Sequence, residues 1–281
     1  MPHKITKNKR LHSDVCQLEI KAPQIAKRAR PGQFIILRVD EKGERIPLTV
    51  YRTNPAAQTI EIIVQEAGTS TLKLCNLKAN DQILDIIGPL GEATAVEKFG
   101  RVICVGGGVG IAEIYPVAQA VKDAGNEVIS IIGARNKDFL ILEQQMHKVS
   151  DKLYITTDDG SYKRKGFVSD VLKELLDKEK FDILFCVGPI PMMKVVSDIT
   201  RPFNLRTIVS LNSIMVDGTG MCGSCRVTVG GKVKFVCVDG PDFDAHQVDF
   251  DELSKRQIRF KDNEKISLDK YKEEHTPCRP R

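Results

Sequence analysis

The sequence predicts a chain of class α/β plus β: a small antiparallel β-barrel, then a parallel sheet with helices, then a small cysteine-bearing C-terminal segment. Three observations carry that reading. Up to about residue 97, short runs rich in Ile, Val and Leu are separated by Pro-Gly, Asn-Pro and Gly breaks, without a long helical period. From Arg101 onward, apolar strand-like runs alternate with helix-like stretches, the pattern of a parallel sheet. Near residue 220, cysteines recur at short spacing among glycines.

In the first region, residues 15–22, 33–40, 59–67 and 81–88 read as strands, and several short strands of this kind close into a small barrel. In the second, residues 101–108 read as a buried strand entering a glycine loop, and 114–125 as a helix ending at Gly125. Strands at 127–135, 152–160 and 181–189 follow, with helices at 169–178 and 192–199. Ligands of such a sheet sit on loops at the carboxyl ends of its strands. Residues 207–240 form the cysteine-bearing segment. The charged remainder, 245–281, has helical character around 251–271 and is expected to pack on this chain or on a partner. Domain limits are accordingly expected at 1–97, 98–210 and 211–281.

Bulk composition narrows the function classes. The chain has 281 residues, 42% hydrophobic and 28% charged, enough to bury a sizeable core. A net charge of +5, spread among acids, falls short of a nucleic-acid-binding stripe. Trp is absent and aromatics are 6%, which argues against base-stacking platforms. The most apolar stretch, 102–121, contains Gly106, Gly107, Gly108, Gly110, Glu113 and Pro116, a poor membrane span. No signal peptide is visible. Eight cysteines in such a chain suggest a reducing compartment, hence a cytoplasmic protein using cysteine for metal or redox chemistry rather than disulfides. Cys104 and Cys186 lie in apolar strands and read as packing residues, as do Cys16 and Cys75. Cys278, beside His275, reads as a surface thiol.

The most informative window runs from Asp217 to Cys225 and on to Cys237. Cys222 and Cys225 form C-x2-C, and Asp217 stands where the first Cys of a plant-type two-iron pattern, C-x4-C-x2-C, falls. Gly218, Gly220 and Gly223 let the backbone wrap closely around a compact inorganic core. Asp217, Cys222, Cys225 and Cys237 are therefore candidate ligands of a [2Fe-2S] cluster. A carboxylate is a harder donor than a thiolate, so the same residues leave two alternatives open: a structural zinc site, or Asp217 as a simple turn residue.

A second motif, Gly106 to Gly110, follows a strand and opens a helix, where backbone amides can approach a pyrophosphate. Its spacing is not G-x-G-x-x-G, because Ile111 stands at the last Gly position. Residues Thr157 to Gly160 and Val187 to Pro189 end two later strands and complete a crevice at one sheet edge. Gly107, Gly108, Gly110, Asp158, Asp159, Gly188 and Pro189 are thus candidate nucleotide contacts. Arg135, after the second strand, is placed to meet an adenosine ribose, its 2′-phosphate or the adenine ring.

Together these residues resemble the ferredoxin–NADP reductase superfamily. Within it they are similar to the branch containing the dihydroorotate dehydrogenase electron-transfer subunit and the small subunits of NADH-dependent reduced ferredoxin:NADP oxidoreductases. The resemblance covers roughly residues 5–250 and implies an FAD-binding barrel. Arg45 is then implied to meet the flavin pyrophosphate, with Pro47, Leu48 and Thr49 lining the isoalloxazine. Gly68, Thr69, Ser70 and Thr71 correspond to a glycine–hydroxyl turn at the flavin phosphates, and Gly88 to Gly91 to the turn closing the barrel. The chain departs from the wider superfamily at Val187, where many members have Cys, and at Glu113, where many have Pro in a loop expected to be exposed. Asp217 fits the oxidoreductase branch, which resembles this chain in using Asp as a cluster ligand.

The implied activity is hydride exchange between NAD(H) and FAD, followed by single-electron transfer through the cluster to a larger iron–sulfur flavoprotein subunit. In that branch the complex handles ferredoxin and performs electron bifurcation, with NADP(H) an alternative nucleotide for this chain. Hydride transfer depends on positioning and requires no side-chain acid or base, so the sequence marks no catalytic residue. Two other readings compete: a dihydroorotate dehydrogenase electron-transfer subunit, and a zinc-bearing binding module without turnover.

Overall fold

The structure, a computed structural model, describes residues 2–275. Its first region contains two antiparallel sheets. One runs in the order Arg52–Asn54, Thr59–Gln65, Val15–Lys21, His3–His12, Gln82–Ile83; the other pairs Phe34–Arg38 with Ile46–Thr49 and Asp85–Leu90. Their inward residues, including Ile5, Leu18, Ile20, Ile35, Leu37, Ile60 and Ile62, form one core. The expected barrel strands are all present.

Five elements of this region were not anticipated, among them the short strands Ile46–Thr49 and Arg52–Asn54. The strand His3–His12 buries only Ile5, and its pairing with Val15–Lys21 is irregular between Ile5 and Lys7 and between Arg10 and His12. Those irregularities break the period-two alternation that marks a half-buried strand. Helices Pro23–Arg28 and Thr69–Asn76 are too short for a clear helical period.

The expectation for Cys16 and Cys75 needs correction. Both are buried, as packing residues should be, but their sulfurs are joined in a disulfide. Strand Val15–Lys21 and helix Thr69–Asn76 lie face to face, with the two Cα atoms 5.8 Å apart, well within disulfide reach. Fifty-nine residues of sequence separate the pair, so nothing local announces it.

The second region is a seven-stranded sheet ordered Arg164–Lys165, Lys152–Thr157, Glu127–Ala134, Arg101–Gly107, Ile183–Val187, Arg206–Ser210, Asp242–Asp244. All neighbours are parallel except the last, which is antiparallel. Helix Gly110–Asp123 ends before Gly125, whose φ of +82° supplies the left-handed residue that closes a helix. Helices Val168–Leu176 and Ile190–Thr200 cover the opposite sheet face, with Leu172, Met193 and Val196 fully buried. Cys104 and Cys186 are buried in their strands, as expected.

The cysteine-bearing segment is less separate than its sequence suggests. Arg206–Ser210 belongs to the parallel sheet, and Asp242–Asp244 returns to pair with it. Between them lie the cysteine loop and the hairpin Arg226–Val229 with Lys232–Phe235. The charged tail forms helices Phe250–Gln257 and Lys261–His275, the first anchored on this chain by buried Phe250 and Leu253. Cys278 lies outside the described residues. Among those described, no helix is long and apolar enough to cross a membrane.

Replacing Cys16 and Cys75 together by Ala is expected to lower stability by about 2–4 kcal/mol. Urea unfolding with and without reductant checks this: the wild-type midpoint should fall on reduction, while the double variant should not respond.

Candidate functional site

Strand Arg101–Gly107 lies between Glu127–Ala134 and Ile183–Val187, where the sequence order of the parallel sheet reverses. Loops leaving the two sides of such a point open a crevice at the strand ends. Helix Gly110–Asp123 begins there, and a Cβ on Gly110 would sit 2.6 Å from the Val187 carbonyl oxygen. Only glycine permits that approach. Gly108 takes φ +58°, and its N–H donates to Gly133 O at 2.9 Å, turning the loop across the neighbouring strand end.

The crevice is a cleft of about 710 Å³. Gly107, Gly108, Gly110, Arg135, Asp158, Gly188 and Pro189 all line it. Asp159 does not; its carboxylate turns away and accepts the Ser161 N–H at 2.9 Å. Partial desolvation at the cleft edge raises the Asp158 carboxyl above its ordinary range against the pull of Arg135. Phe139, Phe167 and Met192 also line the cleft and escaped the sequence reading. Single large apolar residues at element ends give no periodic signal. The Thr156 hydroxyl, buried on the cleft wall, has no hydrogen-bond partner among the described residues. An orphaned hydroxyl beside a glycine-rich helix start suits a ligand rich in acceptors, such as a dinucleotide.

A second cavity, about 210 Å³, opens between the barrel and the parallel sheet. Pro47, Leu48 and Thr49 form part of its barrel wall; Val109, Ala112 and Glu113 face them. Arg45 is half-buried on the same strand end. Gly68 precedes helix Thr69–Asn76, and a Cβ there would meet nothing within 4 Å. Ser70 is buried. The Thr71 hydroxyl accepts the N–H groups of Ala67 and Gly68 at 2.9 and 3.0 Å, so it caps the helix rather than pointing outward. Thr69 Oγ1 lies 3.1 Å from Ser267 Oγ of the tail helix. The open space at Gly68 and the amide-bearing helix start fit a flavin pyrophosphate; the apolar wall fits its ring.

Glu113 corrects an expectation. It occupies the first turn of helix Gly110–Asp123 instead of an exposed loop, and it borders both cavities. Burial pushes its carboxyl up to about 7, against the opposing pull of the neighbouring Thr49 hydroxyl. An acid inside the otherwise apolar run 109–118 was the signal available in the sequence.

In the cysteine loop, Cys225 and Cys237 are buried with their sulfurs 3.2 Å apart. Cys222 is exposed, and its N–H donates to Asp217 Oδ2 at 2.9 Å, while Asp217 Oδ1 accepts from Thr219 N at 2.9 Å. These bonds hold the Asp217 carboxyl below its ordinary range. Gly218, Gly220 and Gly223 all have positive φ, 76°, 80° and 68°. Among the described residues, no three His, Cys, Asp or Glu side chains converge on one point as a metal cage. Three thiols and an oxygen spread along a glycine-wrapped loop fit a two-iron core, whose ligands divide between its metals.

A flavin-binding barrel, a nucleotide crevice and a cluster loop define a nicotinamide-dependent oxidoreductase with an iron–sulfur centre. Residues 104–198 match the oxidoreductase NAD-binding domain, and 212–249 the iron–sulfur cluster binding domain of dihydroorotate dehydrogenase B. The chain is 48% identical to a dihydroorotate dehydrogenase B electron transfer subunit homolog of Thermotoga maritima, over 96% of this chain and 95% of that one. It is 38% identical to a probable dihydroorotate dehydrogenase B electron transfer subunit of Methanocaldococcus jannaschii, over 76% and 79%. The chain belongs to the family of dihydroorotate dehydrogenase B electron transfer subunits. A chain from the solved NADH-dependent reduced ferredoxin-NADP oxidoreductase superposes with a TM-score of 0.91 at 47% identity, covering 96% of this chain and 98% of that one. Phthalate dioxygenase reductase shares the fold alone, with a TM-score of 0.59 at 16% identity.

Asp242, which accepts from Thr94 Oγ1 at 2.6 Å, gives this junction a pH dependence. Burial raises its carboxyl from 3.8 to about 6. A raised folded-state value means its stabilisation is complete below the unfolded value and is lost as pH rises through about 6. Asp242→Asn should flatten the fall of Tm between pH 4 and 7, by at most about 3 kcal/mol of the wild-type change. Thermal melts across that range check it.

Proposed function

We propose that the chain is the electron-transfer flavoprotein subunit of an electron-bifurcating ferredoxin:NADP oxidoreductase. It exchanges hydride between NAD(H) and FAD and passes electrons singly through a [2Fe-2S] cluster to a larger iron–sulfur flavoprotein subunit. One observation carries the reading. The nucleotide cleft and the barrel cavity share Gln65, Val109, Glu113, Ser210 and Asn212, and the barrel cavity extends to Met215, two residues before Asp217. Three sites in series along one continuous wall are what relayed transfer requires.

The division of labour follows from that series. Residues 1–97 hold FAD through Arg45, Pro47, Leu48, Thr49 and the Gly68 to Thr71 helix start. Residues 98–210 bind NAD(H) through Gly107, Gly108, Gly110, Arg135, Asp158, Gly188 and Pro189. Residues 211–281 carry the cluster on Asp217, Cys222, Cys225 and Cys237 and face the partner. FAD, when bound, converts hydride chemistry into single-electron chemistry. The chain's own residues bind and orient: the glycine loop brings backbone amides to a pyrophosphate, and Pro47 and Leu48 exclude water beside the ring. We place the protein in the cytoplasm, where the cluster thiols stay available to iron; the Cys16–Cys75 bond, buried in the barrel core, is the exception to that setting.

Anaerobically purified protein should contain flavin, two irons and sulfide, and should bleach on addition of NADH. Cys225→Ala should lose iron and keep flavin. Gly108→Val should weaken NADH binding by about tenfold or more while flavin stays bound, because a β-branched residue resists positive φ and fills the amide cradle. A colourless wild-type protein ends the reading. Co-purification with a dihydroorotate-oxidising enzyme would assign the chain to that complex instead.

A further inference from the structure

Glu113 has no part in holding the nucleotide or the flavin phosphates, yet it lines three cavities. It borders the nucleotide cleft, the barrel cavity and a third space of about 10 Å³ between them, shared with Thr49, Ser210 and Asp242. Thr49 borders the same two spaces, which sets Glu113 beside the wall against which a flavin ring would lie. An acid in the first turn of a helix can serve simply to complement the helix dipole at an exposed end. Glu113 is instead half-buried in a cleft where two redox ligands would meet.

The electron balance of the proposed function creates a task for such a group. A hydride is one proton and two electrons. An iron–sulfur cluster accepts electrons singly and no proton, so each hydride passed on as electrons leaves one proton behind. We propose that Glu113 accepts this proton as the two electrons depart, its carboxylate becoming the carboxylic acid, and then releases it to solvent through the cleft. When flux reverses, the same group returns the proton. The inference rests on the cleft being the junction of NAD(H) and FAD.

The surroundings suit the role. Thr49 gives Glu113 a hydroxyl that can both donate and accept. Asp242 faces the same small cavity from the returning strand, engaged by the Thr94 hydroxyl, with Ser210 beside it on the lining. Arg135 and Asp158 stand on the wall of the nucleotide cleft, and Arg52 is occupied by the Tyr115 hydroxyl at 2.7 Å. None of these charged groups is among the causes shifting Glu113; burial and Thr49 set its affinity for the proton. With a carboxyl near 7, both protonation states are populated at neutral pH, as a group that takes and returns a proton needs.

The test uses the flavin- and cluster-loaded protein. Glu113→Gln keeps the side chain's shape and hydrogen bonding but cannot ionise, whereas Glu113→Asp keeps the acid. Spectroelectrochemical titration should show the flavin potential changing slope near pH 7 in the wild type and not in Glu113→Gln. Infrared difference spectra of flavin reduction should lose a protonated-carboxyl band in that variant. NADH-driven reduction of a one-electron acceptor should fall by about 10²-fold, the lower range for a positioned acid–base group, while single-turnover bleaching by NADH changes by less than about threefold. An unchanged slope break in flavin-loaded Glu113→Gln overturns the proposal. If that variant loses flavin, Glu113→Asp decides: a displaced break supports the role and an unmoved one overturns it. Failure of the wild type to bind flavin or bleach with NADH overturns the functional reading instead.

Discussion

At Gly110 the long helix of the nucleotide-binding sheet runs so close to the end of strand Ile183–Val187 that a single methyl group would collide with the Val187 carbonyl. Much of the site depends on this contact. It fixes where the helix starts, hence where its first amides point and where the side chain three residues later emerges. Moving the helix outward by the width of a methyl group would pull Gly108 from its bond to Gly133 and draw Glu113 away from Thr49. A close-packed interior has little freedom to absorb such a shift, because neighbouring side chains already interdigitate.

The same junction is joined to the barrel by a polar clasp. Arg52 reaches from the barrel to the Tyr115 hydroxyl, and its guanidinium lies 5.0 Å from both the Tyr51 and Tyr115 ring centres. Tyr51 and Tyr115 themselves pack 5.1 Å apart. A planar cation lying over two rings that touch each other loses less hydration on burial than an ammonium would, so the contact can be tight without stranding a charge. It sits one helical turn beyond Gly110, so glycine contact and aromatic clasp fix the helix relative to sheet and barrel respectively.

Much of this was legible in the sequence because periodicity reports burial. The run 101–108 and the helix closing at Gly125 are continuous apolar patterns with conventional ends, and the structure reproduces both. The glycine loop and the C-x2-C spacing were legible for a different reason: each is a local constraint written in adjacent residues. What escaped depends on distant chain segments. The strand His3–His12 is stabilised by its partner, not by its own alternation, and the Cys16–Cys75 bond joins residues far apart in sequence. Asp159 looked equivalent to Asp158 in sequence, yet the turn sends one carboxylate into the cleft wall and the other to Ser161. Glu113 was visible but misplaced, since the helix begins at Gly110, four residues before the apolar pattern suggested.

The returning strand explains how a small cysteine segment can be held firmly enough for electron transfer. A loop of glycines with positive φ has little intrinsic rigidity and carries a high conformational entropy to be lost on ordering. Here its two ends are fixed to one sheet: Arg206–Ser210 leads in, and Asp242–Asp244 pairs antiparallel with it on the way out. The barrel grips the same place, through Glu92 N to Gly240 O at 2.6 Å and Thr94 Oγ1 to Asp242 Oδ2 at 2.6 Å. Gly91 meets the ring of Pro241 so closely that a side chain there would separate barrel from loop. Anchored to both neighbours at its base, the loop keeps Cys225 and Cys237 buried against the sheet core while Cys222 faces outward. The buried pair is thus fixed relative to the barrel wall, and the exposed thiol lies on the side from which a partner can approach.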